Sequence, residues 1–304
     1  MRALVVRHGT LMLAELPSPE CGPGEARVSI RLAGVCGTDL QVLRGYSTFE
    51  GVLGHEGVGV VTEGPKEWVG RRVALDINLG CGECDKCRAR AFKHCARRRA
   101  LGIRGANGVF AEEVIVPAAN LVPIPDSLPD ELAVFAEPLA AAIHGASQAA
   151  PEGPVLVLGD GRLGSLTALA LLAMGREVIL EGRHPDRRTR LPVALRARRA
   201  GERFPTVIDT TGSPDGFRES LVCTSPQGRI VLKSTHAGES SPNLSAIVVD
   251  EISVVGSRCG DLSLALAWMA DRRVDPRPLI ESIEPLTPES VLKSRGRLKT
   301  LLRP

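Results

Sequence analysis

The protein is 304 residues long, which is enough for two packed domains of ordinary size. Hydrophobic residues make up 43% of the chain and charged residues 24%, a balance that excludes an intrinsically disordered protein. The formal net charge of +3 is too small to indicate binding to nucleic acid or to a membrane surface. Because no apolar segment is long enough for a secretory signal or a bilayer crossing, we expect a cytoplasmic protein.

The sequence pattern changes near Pro151. Up to residue 150, short apolar or alternating runs are separated by Pro and Gly turns, a pattern typical of a β-rich domain. From residue 151 to about residue 269, wholly apolar runs typical of strands in a parallel sheet alternate with connecting segments, the first of which is an apolar helical run. The sequence therefore predicts a β-rich domain over residues 1–150 and a doubly wound α/β domain over residues 151–269.

Four of the eight cysteines lie close together in the segment CGECDKCRARAFKHC. A Cys-x-x-Cys step allows a short turn to present two thiolates to one ion, and four thiolates complete the tetrahedral shell of zinc. We therefore predict a closed, structural zinc site formed by Cys81, Cys84, Cys87 and Cys95. Four reduced surface thiols are the alternative, and an iron–sulfur cluster is disfavoured because Ala96, rather than proline, follows the last cysteine.

Three other segments carry residues of metal-binding type, namely Cys36 in GVCGTDL, His55 and Glu56 in GHEGVGVV, and Glu137 in AEPLAAAIHG. Each residue taken alone is more often a small core residue or a solvated polar group than a ligand. Each, however, sits at a strand end or beside a turn of small residues, where distant segments can converge on an ion. One Cys, one His and one Glu would leave one coordination position open, which is the arrangement of a catalytic zinc.

Together these segments resemble the zinc-dependent alcohol dehydrogenase branch of the medium-chain dehydrogenase/reductase superfamily. The resemblance covers nearly the whole chain, from the Cys-Gly-Thr-Asp turn through the four-cysteine segment to the nucleotide fold. It implies a GroES-like catalytic domain, which residues 270–304 would rejoin, and a Rossmann-type domain. It also implies reversible hydride transfer between a nicotinamide cofactor and a secondary alcohol or polyol, about two zinc ions per chain, and a homodimer or homotetramer.

The resemblance assigns roles to the ligand-type residues. In that family the cysteine and the histidine of the first two motifs bind the catalytic zinc, which implies this role for Cys36 and His55. The Glu-Pro motif supplies the third ligand in sorbitol-, threonine- and glucose-dehydrogenase-like members, which implies Glu137. Glu56, beside the histidine, would enter the zinc shell transiently.

The same resemblance implies how the site is oriented and how a proton leaves it. Asp39 would accept a hydrogen bond from a ligand imidazole and orient it. Thr38 would hydrogen-bond the substrate oxygen and begin a proton relay. Gln41 departs from the pattern, because many relatives carry there a histidine that ends the relay. Glutamine cannot take up a proton, so the relay runs through water or another group, or turnover is slowed.

The segment VLVLGDGRLGSL places Gly159, Gly161 and Gly164 in the pattern G-x-G-x-x-G between an apolar strand and an apolar helix. In this context the first glycine forms the turn, the second lets the backbone approach a pyrophosphate, and the third allows close helix–strand packing. The N–H groups at the helix start, around Arg162 and Leu163, would face the phosphates. A glycine-rich turn without a ligand is the alternative.

The end of the second strand, EVILEGRHPDRR, bears on the choice between NAD and NADP. Gly182 falls where NAD-binding proteins carry an acidic ribose ligand. Arg183 follows it and would pair with a 2′-phosphate, with Arg187 or Arg188 in support. A shift of one residue would instead make Glu181 the ribose ligand, so the sequence favours NADP only slightly over NAD.

The nucleotide domain is shortened after this strand. Thr206, which begins the next clear strand, lies only 24 positions beyond Gly182, so a helix and a strand are predicted to be shortened or fused. Thr211 and Ser257, at the ends of later strands, are the expected walls of the adenine and nicotinamide pockets.

Two other classes of function remain open from the sequence. Gln41 and the shortened domain also suit a nucleotide-binding sensor or assembly subunit without catalysis. A zinc-free, quinone-reductase-like enzyme is disfavoured, because it would have no use for the open ligand set. The bulky residues that could line a substrate pocket are Tyr46, Phe49 and Trp268.

Overall fold

The computed structural model describes residues 1–45, 47–192, 195–235 and 242–304, so Tyr46 lies outside the described residues. The strands, numbered in chain order, are β1 (Arg2–Arg7), β2 (Thr10–Glu15), β3 (Glu25–Gly34), β4 (Gly51–Val52), β5 (Glu56–Glu63), β6 (Arg72–Leu75), β7 (Asn78–Leu79), β8 (Arg99–Leu101), β9 (Gly105–Ala106), β10 (Glu113–Pro117), β11 (Leu121–Pro123), β12 (Val155–Leu158), β13 (Val178–Glu181), β14 (Phe204–Asp209), β15 (Thr224–Leu232), β16 (Ser253–Gly256), β17 (Ile280–Pro285) and β18 (Lys299–Arg303).

The α-helices are α1 (Gly37–Val42), α2 (Asp85–Arg88), α3 (Asp130–Ala133), α4 (Ala136–Ala146), α5 (Arg162–Ala173), α6 (Asp186–Thr189), α7 (Pro214–Cys223), α8 (Leu244–Val249), α9 (Leu262–Ala270) and α10 (Pro288–Lys293). Short 3₁₀ helices span Phe92–His94, Ala118–Asn120 and Arg277–Leu279. Among the described residues, no helix is long and apolar enough to cross a membrane.

The chain forms two compact units. The first comprises Met1–Glu137, Leu262–Ala270 and Ile280–Pro304, and the second comprises Pro138–Asp261 and Asp271–Leu279. The first unit therefore contains both termini of the chain, and the second contains the glycine-rich turn.

A seven-stranded sheet organises the first unit, in the order β11-β6-β5-β3-β18-β17, with β10 also pairing with β3. Along β3, buried side chains alternate with more exposed ones until its last three residues, which are all buried. This period of two is expected for a strand with one face on a core. At the end of β3, Gly34 lies opposite Glu56 of β5 on one side and Leu301 of β18 on the other. Three distant segments therefore meet at this end of the sheet.

Two small sheets complete the strands of the first unit, in the orders β2-β1-β4 and β7-β8-β9. Strands β7 and β8 pair antiparallel, with Asn78 opposite Ala100 and Leu79 opposite Arg99. The intervening segment is thus closed at its base by backbone hydrogen bonds. This segment carries the four clustered cysteines.

The second unit is built on a five-stranded parallel sheet in the order β13-β12-β14-β15-β16. Strands β12, β13 and β14 are almost wholly buried, and the core includes Leu156, Ile179, Phe204 and Val207. The edge strand β16 is mostly exposed. The order reverses direction at β12, which is the hallmark of a doubly wound fold. The predicted parallel α/β architecture is confirmed.

The shortening predicted after β13 is visible in the sheet order. Six-stranded Rossmann sheets run 3-2-1-4-5-6, whereas here the chain passes from β13 to β14 on the far side of β12. Between these two strands the described residues form only the four-residue helix α6. The position of a third, outer strand is therefore not filled by the described part of this segment.

Candidate active site

Cys36, His55 and Glu56 come together at the end of the seven-stranded sheet. Cys36 follows β3, and His55 directly precedes β5, so the pairing of Gly34 with Glu56 brings both segments to one point. One potential ligand atom from each of the three residues lies within 4.8 Å of the others. Gly54 makes the turn into this motif with a left-handed φ of 92° that favours glycine.

Asp39 contacts both Cys36 and His55. It is fully buried in α1, and its Oδ2 accepts a hydrogen bond of 2.7 Å from the backbone N–H of Cys36. Its Oδ1 lies 3.0 Å from Nδ1 of His55, but neither atom makes a hydrogen bond of good geometry. Because Nδ1 faces Asp39, Nε2 is the imidazole nitrogen left to face an ion.

The charges around His55 favour a cation at this point. Burial lowers the pKa of His55, but the negative charges of Asp39 and Cys36 outweigh it and raise the pKa well above 6.5. A protonated imidazole at His55 is therefore favoured beside buried Asp39, so positive charge is favoured at this point. A thiolate, an imidazole and carboxylates are donors that suit zinc, so the residues present fit this ion.

The remaining residues predicted for this site have different positions. Thr38 is half-buried, with its Oγ1 3.7 Å from Sγ of Cys36. Glu56 is buried and accepts a hydrogen bond from Nζ of Lys299, the first residue of β18. Glu137 lies half-buried in the first turn of α4 and is not part of the three-residue cluster. The structure thus brings Cys36 and His55 together with Glu56 rather than with Glu137.

The four clustered cysteines converge on one point. Their sulfur atoms all lie within 4.8 Å of one another, and Cys87 and Cys95 are buried. Backbone N–H groups of Glu83 and Cys84 lower the pKa of Cys81 to about 6, which favours the thiolate that a metal needs. None of the eight cysteines forms a disulfide, so this arrangement fits the predicted structural zinc.

The glycine-rich turn has the shape that the sequence pattern requires. Gly159 follows β12 with a left-handed φ of 104°, and Gly161 precedes the first turn of α5. A Cβ at Gly161 would meet nothing within 4 Å, so the turn is open on that side. A Cβ at Gly164 would instead overlap the carbonyl oxygen of Gly159, which only glycine avoids. Arg162 and Leu163 begin the twelve-residue helix α5.

The turn after β13 is held by an aspartate of the glycine-rich segment. Asp160 is 6% exposed, and its carboxylate accepts a hydrogen bond of 2.5 Å from the backbone N–H of His184. A Cβ at Gly182 would overlap this carboxylate, so Asp160 fills the space beside Gly182. Arg183 is exposed next to this turn.

Glu181, the alternative ribose ligand, is bound by an arginine. Arg198 donates to both of its carboxylate oxygens, with its Nε at 2.8 Å from Oε2 and its terminal nitrogen at 3.2 Å from Oε1. The same guanidinium donates to Glu219 in α7 at 2.7 Å. These hydrogen bonds raise the pKa of Arg198 further, so it stays charged.

Thr211 and Ser257 both follow strands at the carboxyl edge of the parallel sheet. The hydroxyl of Thr211 donates to buried Asp209 at 2.8 Å. Buried Lys233, which follows β15, donates to the Ser257 hydroxyl at 3.4 Å and to the Arg258 carbonyl at 2.9 Å. This edge is where doubly wound sheets bind their ligands.

Comparisons with known proteins agree with this geometry. A family model of the alcohol dehydrogenase GroES-like domain matches residues 22–126. The starvation-sensing protein RspB of Escherichia coli strain K12 is 30% identical, with 91% of this chain and 89% of that protein covered. A structure of RspB from E. coli CFT073, described as an alcohol dehydrogenase complexed with NADH, has a TM-score of 0.88 at 27% identity, covering 100% and 99% of the two chains.

Two further proteins extend the comparison. The L-threonine 3-dehydrogenase of Xanthomonas campestris strain B100 is 31% identical, with 76% of each chain covered. A zinc-binding dehydrogenase of Sinorhizobium meliloti, solved with NADP, has a TM-score of 0.88 at 26% identity, covering 100% of this chain and 99% of that one. The chain belongs to the zinc-dependent medium-chain dehydrogenase/reductase superfamily. It is therefore an oxidoreductase of the nicotinamide-linked alcohol dehydrogenase type, and the non-catalytic alternative is disfavoured.

Three residues of this dehydrogenase that shape the two sites were missed in the sequence. Lys299 is a charged residue inside the apolar run LKTLL, which could have indicated a buried ion pair. Asp160 is one of the variable positions of the glycine pattern, and nothing in the sequence indicates that it fills the space beside Gly182. Arg198 lies in an arginine-rich segment, and nothing in its composition indicates which carboxylate this arginine binds.

Proposed function

We propose that this dehydrogenase transfers hydride reversibly between a secondary alcohol or polyol and NADP, with the catalytic zinc on Cys36, His55 and Glu137. The observation that carries the proposal is that Cys36 and His55 lie close together and both contact buried Asp39. The charges around His55 also favour a cation there. When bound there, zinc supplies Lewis-acid polarisation of the substrate oxygen. The four-thiolate segment would hold a second, structural zinc.

Each neighbouring side chain has a task in this proposal. Asp39 orients His55 through Nδ1 and fixes the backbone of Cys36, so both ligands share one support. Thr38, half-buried beside Cys36, hydrogen-bonds the substrate oxygen and takes part in proton transfer. Because Gln41 cannot accept the proton that Thr38 releases, the proton passes from the threonine hydroxyl to water.

Glu137 rather than Glu56 is the proposed third ligand. The carboxylate of Glu56 already accepts a hydrogen bond from Lys299 in a buried ion pair. Glu137 lies in the first turn of α4, two residues after buried Phe135. Its Glu-Pro motif is what resembles the polyol dehydrogenase branch, which supports a polyol or other secondary alcohol as substrate.

NADP is proposed over NAD on the surroundings of the second strand. Arg198 donates to both carboxylate oxygens of Glu181 and balances its negative charge, which lowers the repulsion that this carboxylate would exert on a 2′-phosphate. At Gly182, an acidic side chain would overlap Asp160. Arg183 is exposed directly after Gly182, and its guanidinium would supply the cation that a 2′-phosphate needs.

The substitution Arg183→Gln tests the cofactor preference. We expect the affinity for NADP to fall by about tenfold to a hundredfold, because hydrogen bonds to a charged group contribute about 1.5–3 kcal/mol. The affinity for NAD should change little, since NAD lacks the 2′-phosphate. Fluorescence titration with NADPH and NADH measures both. Arg199→Gln, at an exposed arginine of the same segment, is the matched control. An unchanged affinity for NADP, or an equal loss for both nucleotides, would contradict the assignment.

A screen of secondary alcohols, polyols and their carbonyl counterparts tests the overall function. Zinc-loaded protein is assayed for reduction of NAD and NADP by the alcohols and for oxidation of NADH and NADPH by the carbonyls, and we expect turnover with at least one secondary alcohol or polyol. A sensor or assembly subunit would instead bind the nucleotide without turnover on any member of the panel. That result would contradict the enzymatic proposal and leave the fold assignment unchanged.

We also propose a homodimer or homotetramer formed through the edge of the parallel sheet. Among the described residues, β16 is an edge strand, and helix α8, which precedes it in the chain, exposes Val248 and Val249 by 75% and 79%. Exposed apolar side chains and sheet edges are both typical of association surfaces.

The double substitution Val248→Lys, Val249→Lys tests this surface. We expect the oligomer to dissociate into monomers, because two charges would be placed in an apolar interface. Light scattering after size-exclusion chromatography measures the mass. Leu292→Lys, at an exposed apolar residue of α10, is the control and should leave the mass unchanged. A variant that keeps the wild-type oligomeric mass would rule out this face.

A further inference from the structure

A buried ion pair lies directly beside the proposed catalytic zinc site. Lys299 and Glu56 are 2% and 1% exposed at their side chains, and Nζ of the lysine donates a hydrogen bond to Oε2 of the glutamate. The ammonium group also lies 5.4 Å from the ring centre of Phe135, a distance at which a cation is attracted to an aromatic face. The two partners are 243 positions apart in the sequence.

The backbone around the pair leaves room for it. Lys299 begins β18, which pairs with the end of β3, and Glu56 begins β5 on the other side of β3. Gly34 lies between them. A Cβ at Gly34 would overlap Oε2 of Glu56 and would lie 2.9 Å from both Nζ and Cε of Lys299. The absence of a side chain at this one position of β3 therefore allows the ion pair to form.

A buried ion pair such as this one is weak evidence for a stabilising role. Two charges lose their hydration when they are buried, and well-packed apolar residues often stabilise a fold equally well. The carboxylate of Glu56 lies within 4.8 Å of potential ligand atoms of Cys36 and His55, so it can reach an ion held by them. A carboxylate is also a normal ligand of zinc.

The consequence of such a bond would be a closed site. With Cys36, His55 and Glu137 as ligands, a fourth protein ligand would complete the tetrahedral shell and leave no position for substrate. Lys299 competes with the ion for the same carboxylate. We infer that Lys299 is a positioning residue that holds Glu56 out of the zinc shell and thereby keeps the fourth position open.

This inference rests on the proposed function, and its test has a readout apart from activity. Lys299→Met removes the charge and keeps an unbranched side chain, whereas Lys299→Arg keeps the charge. With Glu56 released to the metal, we expect zinc to leave the Lys299→Met protein at least tenfold more slowly in the presence of a chelator. In the cobalt-substituted protein, added imidazole should no longer alter the visible spectrum. Lys299→Arg should behave as the wild type in both measurements.

A double variant separates this role from a merely structural one. Lys299→Met combined with Glu56→Gln removes the competing carboxylate, so zinc release and the response to imidazole should return toward wild-type behaviour. If Lys299→Met instead loses zinc faster than the wild type, or keeps the imidazole response, the inference is overturned. Lys299→Gln is measured in the same way if the methionine variant does not fold.

The two proposals fail in different ways. If the wild-type protein holds only the zinc of the four-thiolate segment, the proposed catalytic site is wrong. If it holds both ions and Lys299→Met changes neither zinc release nor the cobalt spectrum, only the role of Lys299 is wrong.

Discussion

Replacing Cys36 by serine is expected to reduce turnover by about a thousandfold or more and to lower bound zinc from about two ions per chain to about one. Cys36 contributes one of the donors that meet over buried Asp39, and a hydroxyl is a much weaker ligand than a thiolate. Lewis-acid polarisation contributes several kcal/mol to a transition state, and each 1.36 kcal/mol changes a rate about tenfold. Loss of the metal therefore removes about three orders of magnitude.

Zinc analysis by mass spectrometry and a steady-state assay measure the two effects on the same sample. Cys21→Ser is the matched control, because this thiol lies outside both cysteine sites and should change neither zinc content nor rate. The nucleotide affinity of Cys36→Ser should equal that of the wild type. Full turnover in Cys36→Ser would eliminate the mechanism, and full zinc content with no turnover would assign Cys36 a role other than metal binding.

Replacing Cys95 by serine is the change expected to cost the most stability. The cysteine segment between β7 and β8 contains little that can be buried apart from its thiols, so an ion at their centre would replace a hydrophobic core. Loss of a structural metal belongs to the few changes that cost more than about 4 kcal/mol. For a chain of this size that corresponds to a fall in the midpoint of thermal unfolding of about 10 °C.

Thermal unfolding followed by circular dichroism measures this effect, together with zinc content. Cys223→Ser is the control. Cys223 is equally buried, but it packs among apolar residues in the core of the second unit and is not part of a cysteine cluster. We expect this control to lower the midpoint by only a few degrees, as ordinary core substitutions do. If Cys95→Ser is no less stable than Cys223→Ser and keeps its zinc, the four thiols are not a structural metal site.

The features that the sequence predicted directly are those formed within a short stretch of chain. The four cysteines fall within one segment closed by β7 and β8, so their spacing alone indicates that they can converge. The pattern of Gly159, Gly161 and Gly164 likewise spans a single strand, turn and helix start. Local backbone geometry determines such features, because the residues involved lie close together in the sequence and stay close in space whatever the rest of the chain does.

The open metal site depended on long-range pairing, which spacing cannot indicate. Cys36 and His55 meet because Gly34 of β3 pairs with Glu56 of β5, a register set by the whole sheet. The resemblance to a known family predicts Cys36 and His55 as ligands without any knowledge of this register. It also predicts that Glu56 reaches the same ion, and the structure brings Glu56 into the cluster with Cys36 and His55. It did not indicate that Glu137 would lie outside this cluster. The roles of these residues as ligands stay predictions.

The sequence by itself determined the α/β class, the four-thiol cluster and the glycine-rich turn, since each follows from local periodicity or short spacing. Only the tertiary structure decided which charged groups are paired. Arg198 forms an ion pair with Glu181, 17 positions away in the sequence, and Lys299 forms one with Glu56, 243 positions away. In a buried environment the partner of a charge determines what that charge can bind, and this partner is chosen by the packing of distant strands and loops.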